Sequence, residues 1–115
     1  MINHVVLMKF RPEATEEQIA ELQTRLDDLP NRILEIQMYE FGRNLPECGG
    51  LYDFGLVSLF ANPESLKRYQ NHPETLALKD WLDHLCQTVV SVNFEGTDAG
   101  SMPEHVPDTL LPPVR

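Results

Sequence analysis

The chain has 115 residues, a length that suits one domain with a single hydrophobic core and excludes two ordinary globular units. Its 42% hydrophobic and 23% charged residues argue against disorder, and a net charge of -9 disfavours nucleic acids and anionic membranes as partners. No apolar run reaches the roughly 20 residues that span a bilayer, and the first residues do not resemble a secretory signal. We therefore expect a cytoplasmic protein with no nucleic-acid and no membrane partner.

The N-terminal part of the chain predicts a strand followed by a helix. Residues 3–10 (NHVVLMKF) alternate as in a strand, and both of their faces are largely apolar. Thr15 and Gln18 have the spacing of a capping box, in which each side chain accepts a backbone N–H at a helix start. Apolar residues then recur every three or four positions as far as Leu29. We expect Pro30 to end this helix.

The middle of the chain predicts two more strands. β-Branched and aromatic residues return over residues 33–41, and residues 42–50 then collect glycine, asparagine and proline as in a long turn. Residues 52–60 (YDFGLVSLF) predict a third strand, which is again apolar on both sides. Apolar side chains on both faces imply that both faces are buried.

The C-terminal part predicts a helix in two segments, a fourth strand and a tail. The Asn-Pro pair at residues 62–63 combines an N-cap with the proline preferred at the first helical position, and Pro73 interrupts that helix and begins a second segment. Residues 88–94 (TVVSVNF) predict the last strand of a domain over residues 1–95. Residues 96–115 are rich in proline yet contain apolar residues, so we expect this tail to pack on the domain or on a partner.

The order of elements is strand, helix, strand, strand, helix, strand, which predicts an α+β fold of the ferredoxin-like βαββαβ type. Its antiparallel four-stranded sheet carries both helices on one face. The first and third strands would be central, and they are the two that are apolar on both sides, so the uncovered face requires a partner. We expect a homodimer in which facing sheets form a dimeric alpha/beta barrel. The alternative is that the proline-rich tail folds back over that face.

Five segments, in this order along the chain, resemble the stress-responsive alpha/beta-barrel (Dabb) family. They are residues 4–10 (HVVLMKF), 17–18 (EQ), 41–45 (FGRNL), 52–53 (YD) and 69–73 (YQNHP). The resemblance implies a dimeric alpha/beta barrel. The family consists mostly of uncharacterised proteins and includes plant stress-induced members and one plant polyketide cyclase that performs an aldol condensation without a cofactor.

The resemblance also implies which residues would carry chemistry. In the cyclase branch, a tyrosine on this helix pairs with a histidine three residues beyond the histidine that precedes proline. Tyr69 and His72 match that pattern here, but Thr75 occupies the position of the second histidine. A threonine hydroxyl is not a general base near neutral pH, so we do not transfer the cyclase activity to this chain.

Three polar residues are candidates for catalysis, namely His4, Tyr69 and His72. His4 is in phase with apolar residues of the first strand, so its imidazole should point toward the helices. Tyr69 and His72 are three positions apart, a spacing that places both on one helix face. Each residue has a structural alternative: His4 as a hydrogen-bonded core histidine, Tyr69 as a buried ring and His72 as a helix cap.

Two functions follow from these residues. The first is a small dimeric binding or stress-associated protein with an apolar ligand pocket between sheet and helices. The expected lining residues of this pocket are Val6, Met8, Phe10, Leu22 and Trp81. The second is a cofactor-independent lyase, cyclase or isomerase for a small carbonyl or phenolic compound, with Tyr69 as proton donor and His72 or His4 as base.

We expect no cofactor and no metal ion. His84 has only Asp80 at helical spacing, and such a pair is more often a local contact than a zinc site. Cys48 and Cys86 form neither a CxxC pair nor a disulfide framework, so we interpret both as reduced thiols.

Overall fold

The computed structural model describes residues 1–97. Its elements, in chain order, are β1 (Ile2–Phe10), α1 (Glu16–Arg32), β2 (Met38–Arg43), β3 (Phe54–Phe60), α2 (Pro63–Gln70), α3 (Pro73–Leu85) and β4 (Cys86–Glu95). A short 3-10 turn (Pro46–Cys48) lies between β2 and β3. None of the helices in this part of the chain is long and apolar enough to cross a membrane. The sequence also predicts that the tail, residues 96–115, packs on the domain or on a partner. From position 98 onward, this tail lies outside the described residues.

The four strands form one antiparallel sheet in the order β2-β3-β1-β4. β1 and β3 are the central strands, as predicted. Val5 of β1 lies opposite Val57 of β3 and Val92 of β4, so these three side chains share one face of the sheet. Side chains alternate between the two faces along each strand, so this register assigns every other residue to that face. The predicted α+β fold of the ferredoxin-like βαββαβ type is confirmed, with its second helical region divided into α2 and α3.

The hydrophobic core lies between one face of the sheet and the three helices. The residues of β1 that face the helices are Ile2, His4, Val6 and Met8, all of them buried. Helix α1 contributes Leu22 and Leu26, which are completely buried. Burial of one such leucine stabilises the fold by about 1.5–3 kcal/mol relative to an exposed position. This layer places the side chain of His4 among apolar neighbours on the helix side.

The predicted helix starts are present. The Thr15 hydroxyl accepts the backbone N–H of Gln18 at 3.1 Å, and the Gln18 side chain accepts the backbone N–H of Thr15 at 2.9 Å. At the start of α2, the Asn62 side chain accepts the backbone N–H of Ser65 at 2.8 Å. Each such cap stabilises its helix by about 1 kcal/mol.

The end of α1 differs from the prediction. Pro30 does not end the helix, which continues to Arg32. Proline removes one helical hydrogen bond, but two contacts hold the last turn: the Ile33 N–H donates to the Leu29 carbonyl at 2.9 Å, and Arg32 pairs with Asp28. The expectation that Pro30 stops the helix was wrong because these contacts and the burial of Ile33 outweigh the missing bond.

The second strand also differs from the prediction. It covers Met38–Arg43 rather than residues 33–41, because Ile33 is the C-cap residue of α1 and its side chain belongs to the core. Gly42 pairs with Gly55 in the ladder between β2 and β3, although glycine indicated a turn. The other strands match their predicted bounds within two residues.

The face of the sheet opposite the helices is apolar and uncovered among the described residues. We call it the open face, and its apolar members include Val5, Leu7, Val57, Leu59, Val90, Val92 and Phe94. Val92 is 54% exposed and Phe94 is 48% exposed. The central strands are thus apolar on both sides, and the open face leaves apolar side chains exposed.

Candidate functional site

A cavity of about 490 Å³ lies between the helix-facing side of the sheet and helices α2 and α3. His4 and Tyr69 both line it, and we call it the His4 cavity. Its apolar lining consists of Val6, Met8, Leu26, Leu56, Leu76, Leu78, Leu82 and Val89. An apolar wall with a few polar groups is the usual composition of a site for a small molecule.

His4 reaches the cavity from β1, where it is buried. Its Nδ1 is hydrogen-bonded to the side-chain oxygen of Asn93, which lies directly opposite His4 in the ladder between β1 and β4. An amide oxygen accepts only, so Nδ1 carries the proton and Nε2 of the neutral ring keeps its lone pair. The pair with Asn93 therefore leaves Nε2 of the neutral imidazole as an acceptor with no partner among residues 1–97, and this nitrogen can also act as a base.

Tyr69 reaches the same cavity from α2. Its ring lies edge-to-face against the His4 ring, with 5.8 Å between the centroids. Its phenol oxygen lies 2.6 Å from that of Tyr39 on β2. Burial raises the pKa of Tyr69, and the hydrogen bond with Tyr39 offsets part of that rise. The Tyr69 phenol is therefore protonated at neutral pH and can donate a hydrogen bond or a proton.

Thr75, in the first turn of α3, adds a buried hydroxyl to the cavity lining. The residue is 5% exposed, and its Oγ1 has no hydrogen-bond partner within residues 1–97. Leaving a buried hydroxyl unpaired costs about 1–3 kcal/mol. Thr75 therefore puts a hydroxyl that residues 1–97 leave unpaired at the position where the sequence resemblance implies a histidine.

His72 lies at the break between α2 and α3, where it caps the second of these helices. Its Nδ1 accepts the backbone N–H of Glu74 at 3.1 Å. His72 is not among the described residues that line the His4 cavity. The structure brings His4 and Tyr69 together and places His72 elsewhere, in the capping position named as its structural alternative.

In the described part of the chain, three of the five residues expected to line the cavity do not line it. Leu22 is completely buried in the core beneath α1. Trp81 lies under the guanidinium group of Arg25, which is 4.6 Å from the ring centroid. Phe10 lines a different pocket, which lies beside the turn that follows β2. Only Val6 and Met8 of the expected apolar set line the His4 cavity.

Sequence reasoning missed Asn93 and Tyr39, which hold the two polar rings in place. Asn93 carries a recognisable signal, because it is a polar residue at the position of β4 that faces His4 once the strands are paired in register. The bond between Tyr39 and Tyr69 depends on how β2 packs against α2, and no spacing along the chain indicates it.

The remaining candidates for metal or thiol chemistry are isolated. Residues 1–97 contain no group of three histidine, cysteine, aspartate or glutamate side chains placed to hold a metal ion. The Nδ1 of His84 lies 3.1 Å from the backbone carbonyl oxygen of Asp80 rather than from its carboxylate. Cys48 is exposed and Cys86 is buried, and both are free thiols, as expected.

Comparison with known proteins agrees with the fold and the sequence pattern. The Dabb family, described as the stress responsive A/B barrel domain, matches residues 2–96. The chain therefore belongs to this family, and the resemblance seen in its sequence is confirmed. No curated protein matches the chain in sequence.

Solved structures of similar proteins share the fold. A dimeric ferredoxin-like protein of unknown function from Thermobifida fusca is 30% identical, with a TM-score of 0.75 over 81% of this chain and 88% of that one. A dimeric ferredoxin-like protein of unknown function from Bacteroides fragilis is 27% identical, with a TM-score of 0.73 over 83% and 95% of the two chains. The hydroxynitrile lyase from Passiflora edulis is 18% identical, with a TM-score of 0.74 over 81% and 90%. The similarity to the lyase concerns the fold alone.

Proposed function

We propose that this protein is a homodimer that binds a small, largely apolar ligand in the His4 cavity of each copy. We also propose a stress-associated role, because the family is described as stress responsive. One observation carries the proposal: Thr75, whose hydroxyl has no partner among residues 1–97, lines a cavity of about 490 Å³ with mostly apolar walls. Protein cores are close-packed and pair their buried polar groups. A space of this size beside an unpaired hydroxyl is the arrangement that a ligand completes.

The homodimer is supported by the open face. Val57 lies at its centre and Val92 and Phe94 lie on its edge strand, and burying such surface stabilises an assembly by about 25 cal/mol per Å². A second copy presents the same apolar face, so a twofold axis would cover both faces at once. The similar proteins from Thermobifida fusca and Bacteroides fragilis are described as dimeric.

Fluorescence of Nile red, a neutral dye that brightens in apolar sites, tests ligand binding. Leu76 lines the cavity and is 44% exposed, so Leu76→Trp fills the cavity from its edge without disturbing the core. We expect the wild-type protein to bind the dye and Leu76→Trp to weaken binding at least tenfold, about 1.4 kcal/mol.

The matched control is Leu34→Trp, which adds the same ring at a position that is 92% exposed and outside the cavity lining. This variant should bind Nile red as the wild type does. Equal dye affinity in both variants would mean that the dye binds another surface, and the cavity would lose its assignment.

A second candidate function is proton transfer without a cofactor on a small carbonyl or phenolic compound, as in a lyase, cyclase or isomerase. It is favoured by the approach of His4 and Tyr69 in one cavity, where Nε2 of His4 has no partner within residues 1–97 and the Tyr69 phenol is protonated. His4 would take a proton from the carbon beside a carbonyl, and Tyr69 would give a proton to the carbonyl oxygen.

Deuterium uptake distinguishes the two functions. Phenylacetone incubated with the protein in heavy water exchanges the hydrogens beside its carbonyl faster if His4 acts as a base, and NMR follows that exchange. The enzyme hypothesis predicts that His4→Gln abolishes the acceleration and leaves Nile red binding intact. Exchange at the same rate with wild type, His4→Gln and buffer would leave ligand binding as the function.

A further inference from the structure

The mouth of the His4 cavity carries an uneven distribution of charge. Lys67 on α2 and Lys79 on α3 line the cavity, and no aspartate or glutamate among residues 1–97 does. The chain has 18 acidic residues and 9 basic ones. A lining with two lysines and no acidic residue among residues 1–97 therefore has the opposite charge to the chain as a whole. These two are also two of only three lysines in the sequence, the third being Lys9.

Neither lysine of the mouth is neutralised within the described part of the chain. The arginines Arg25, Arg32, Arg43 and Arg68 each pair with a carboxylate, whereas Lys67 and Lys79 have no such partner among residues 1–97. Both side chains are exposed. Their ammonium groups are therefore available to an anion that enters between α2 and α3.

We propose that the ligand of the His4 cavity is an amphipathic carboxylate, with its apolar body in the cavity and its carboxylate at the mouth beside Lys67 and Lys79. This inference rests on the proposed function and adds the charge of the ligand to it. The orientation follows from depth, because Thr75 is buried and the two lysines are exposed. The carboxylate remains partly hydrated at the mouth while the apolar walls receive the hydrocarbon.

The net charge of -9 does not oppose this binding at close range. Repulsion from distant acidic groups is screened over about 10 Å at 0.1 M salt, whereas the two lysines act within a few ångströms of the bound carboxylate. Exposed ion pairs are weak, and two of them together favour a carboxylate over its neutral analogue by about three- to tenfold.

Competition with Nile red tests the charge of the ligand with three probes of equal length, octanoate, octanamide and octylamine, on the full-length protein. The inference predicts that octanoate displaces the dye at about three- to tenfold lower concentration than octanamide, and that octylamine is the weakest. The preference for octanoate should disappear in the double variant Lys67→Gln, Lys79→Gln, and it should fall as salt is added.

The control variant is Lys9→Gln, which removes the same charge on the opposite face of the sheet and should keep the preference. Equal displacement by octanoate and octanamide, or a preference that survives the double variant, would overturn the carboxylate while the cavity remains a ligand site. If Leu76→Trp leaves dye binding unchanged, the proposed function itself fails, and that result is separate from the order of the three probes.

Discussion

The phenol oxygens of Tyr39 and Tyr69 lie 2.6 Å apart and join strand β2 to helix α2 beside the His4 cavity. Both rings are largely buried, and burial raises the pKa of each phenol. Replacing one partner leaves the other hydroxyl buried without its bond. We predict that Tyr39→Phe lowers the free energy of unfolding by about 1–2 kcal/mol, measured by urea denaturation.

The double variant Tyr39→Phe, Tyr69→Phe checks that explanation. Removing both hydroxyls leaves no unpaired group, so the loss should be smaller than the sum of the two single losses by about 1 kcal/mol. Strictly additive losses would show that the two phenols contribute independently and that their bond does not hold β2 to α2.

Substitutions at His72 distinguish a structural role of this residue from a catalytic role. Its ring accepts the backbone N–H of Glu74 at the start of α3, and an asparagine side chain can accept a bond at a helix start as well. We predict that His72→Ala lowers the free energy of unfolding by about 1 kcal/mol and that His72→Asn restores most of it. Neither variant should change Nile red affinity. A loss of deuterium exchange in His72→Asn with unchanged stability would instead support a catalytic His72.

The open face predicts the state of assembly. Lysine at Val57 and Val92 places two charges per copy on the apolar surface, and burying unpaired like charges between two copies is unfavourable. We predict that the wild type sediments as a dimer and that the double variant Val57→Lys, Val92→Lys sediments as a folded monomer. Leu34→Lys adds a charge at an exposed apolar residue away from this face and should remain dimeric. A wild-type monomer at micromolar concentration would contradict the homodimer.

The two thiols should differ in reactivity. Cys48 is exposed, whereas burial raises the pKa of Cys86 to about 11. At pH 8 only about one Cys86 in a thousand would be a thiolate, the form that attacks a disulfide reagent. We predict that DTNB modifies one cysteine per native chain and two in urea. Cys48→Ser should abolish the native reaction, and a persistent fast reaction in that variant would place Cys86 at the surface.

The sequence predicted the fold well because the fold depends on local patterns. The alternation of β1 and β3, the capping box at Thr15 and the Asn-Pro start of α2 each act within a few residues, and each is present in the structure. The errors occur where tertiary contacts overrule a local signal. Pro30 stays inside α1 because the buried Ile33 anchors the turn after it.

The site was harder to predict than the fold for a geometric reason. Periodicity identifies which face of an element is buried, and it correctly directed His4 toward the helices. It does not determine where helices and sheet separate to leave a cavity, so Leu22 and Trp81 could not be distinguished from Leu78 and Leu82. Contacts between distant segments, such as Tyr39 with Tyr69, are set by packing alone.

NMR titration of methyl-labelled protein with octanamide tests the central claim most directly. If the His4 cavity is the ligand site, the largest shift changes will be at Val6, Met8 and Leu78, with smaller changes at Leu22 and none at Val57. A binding site between β1, α2 and α3 would be contradicted by either of two results. The largest shift changes could occur at Val57 and its neighbours on the open face, or the shift changes could be small and equal throughout the chain.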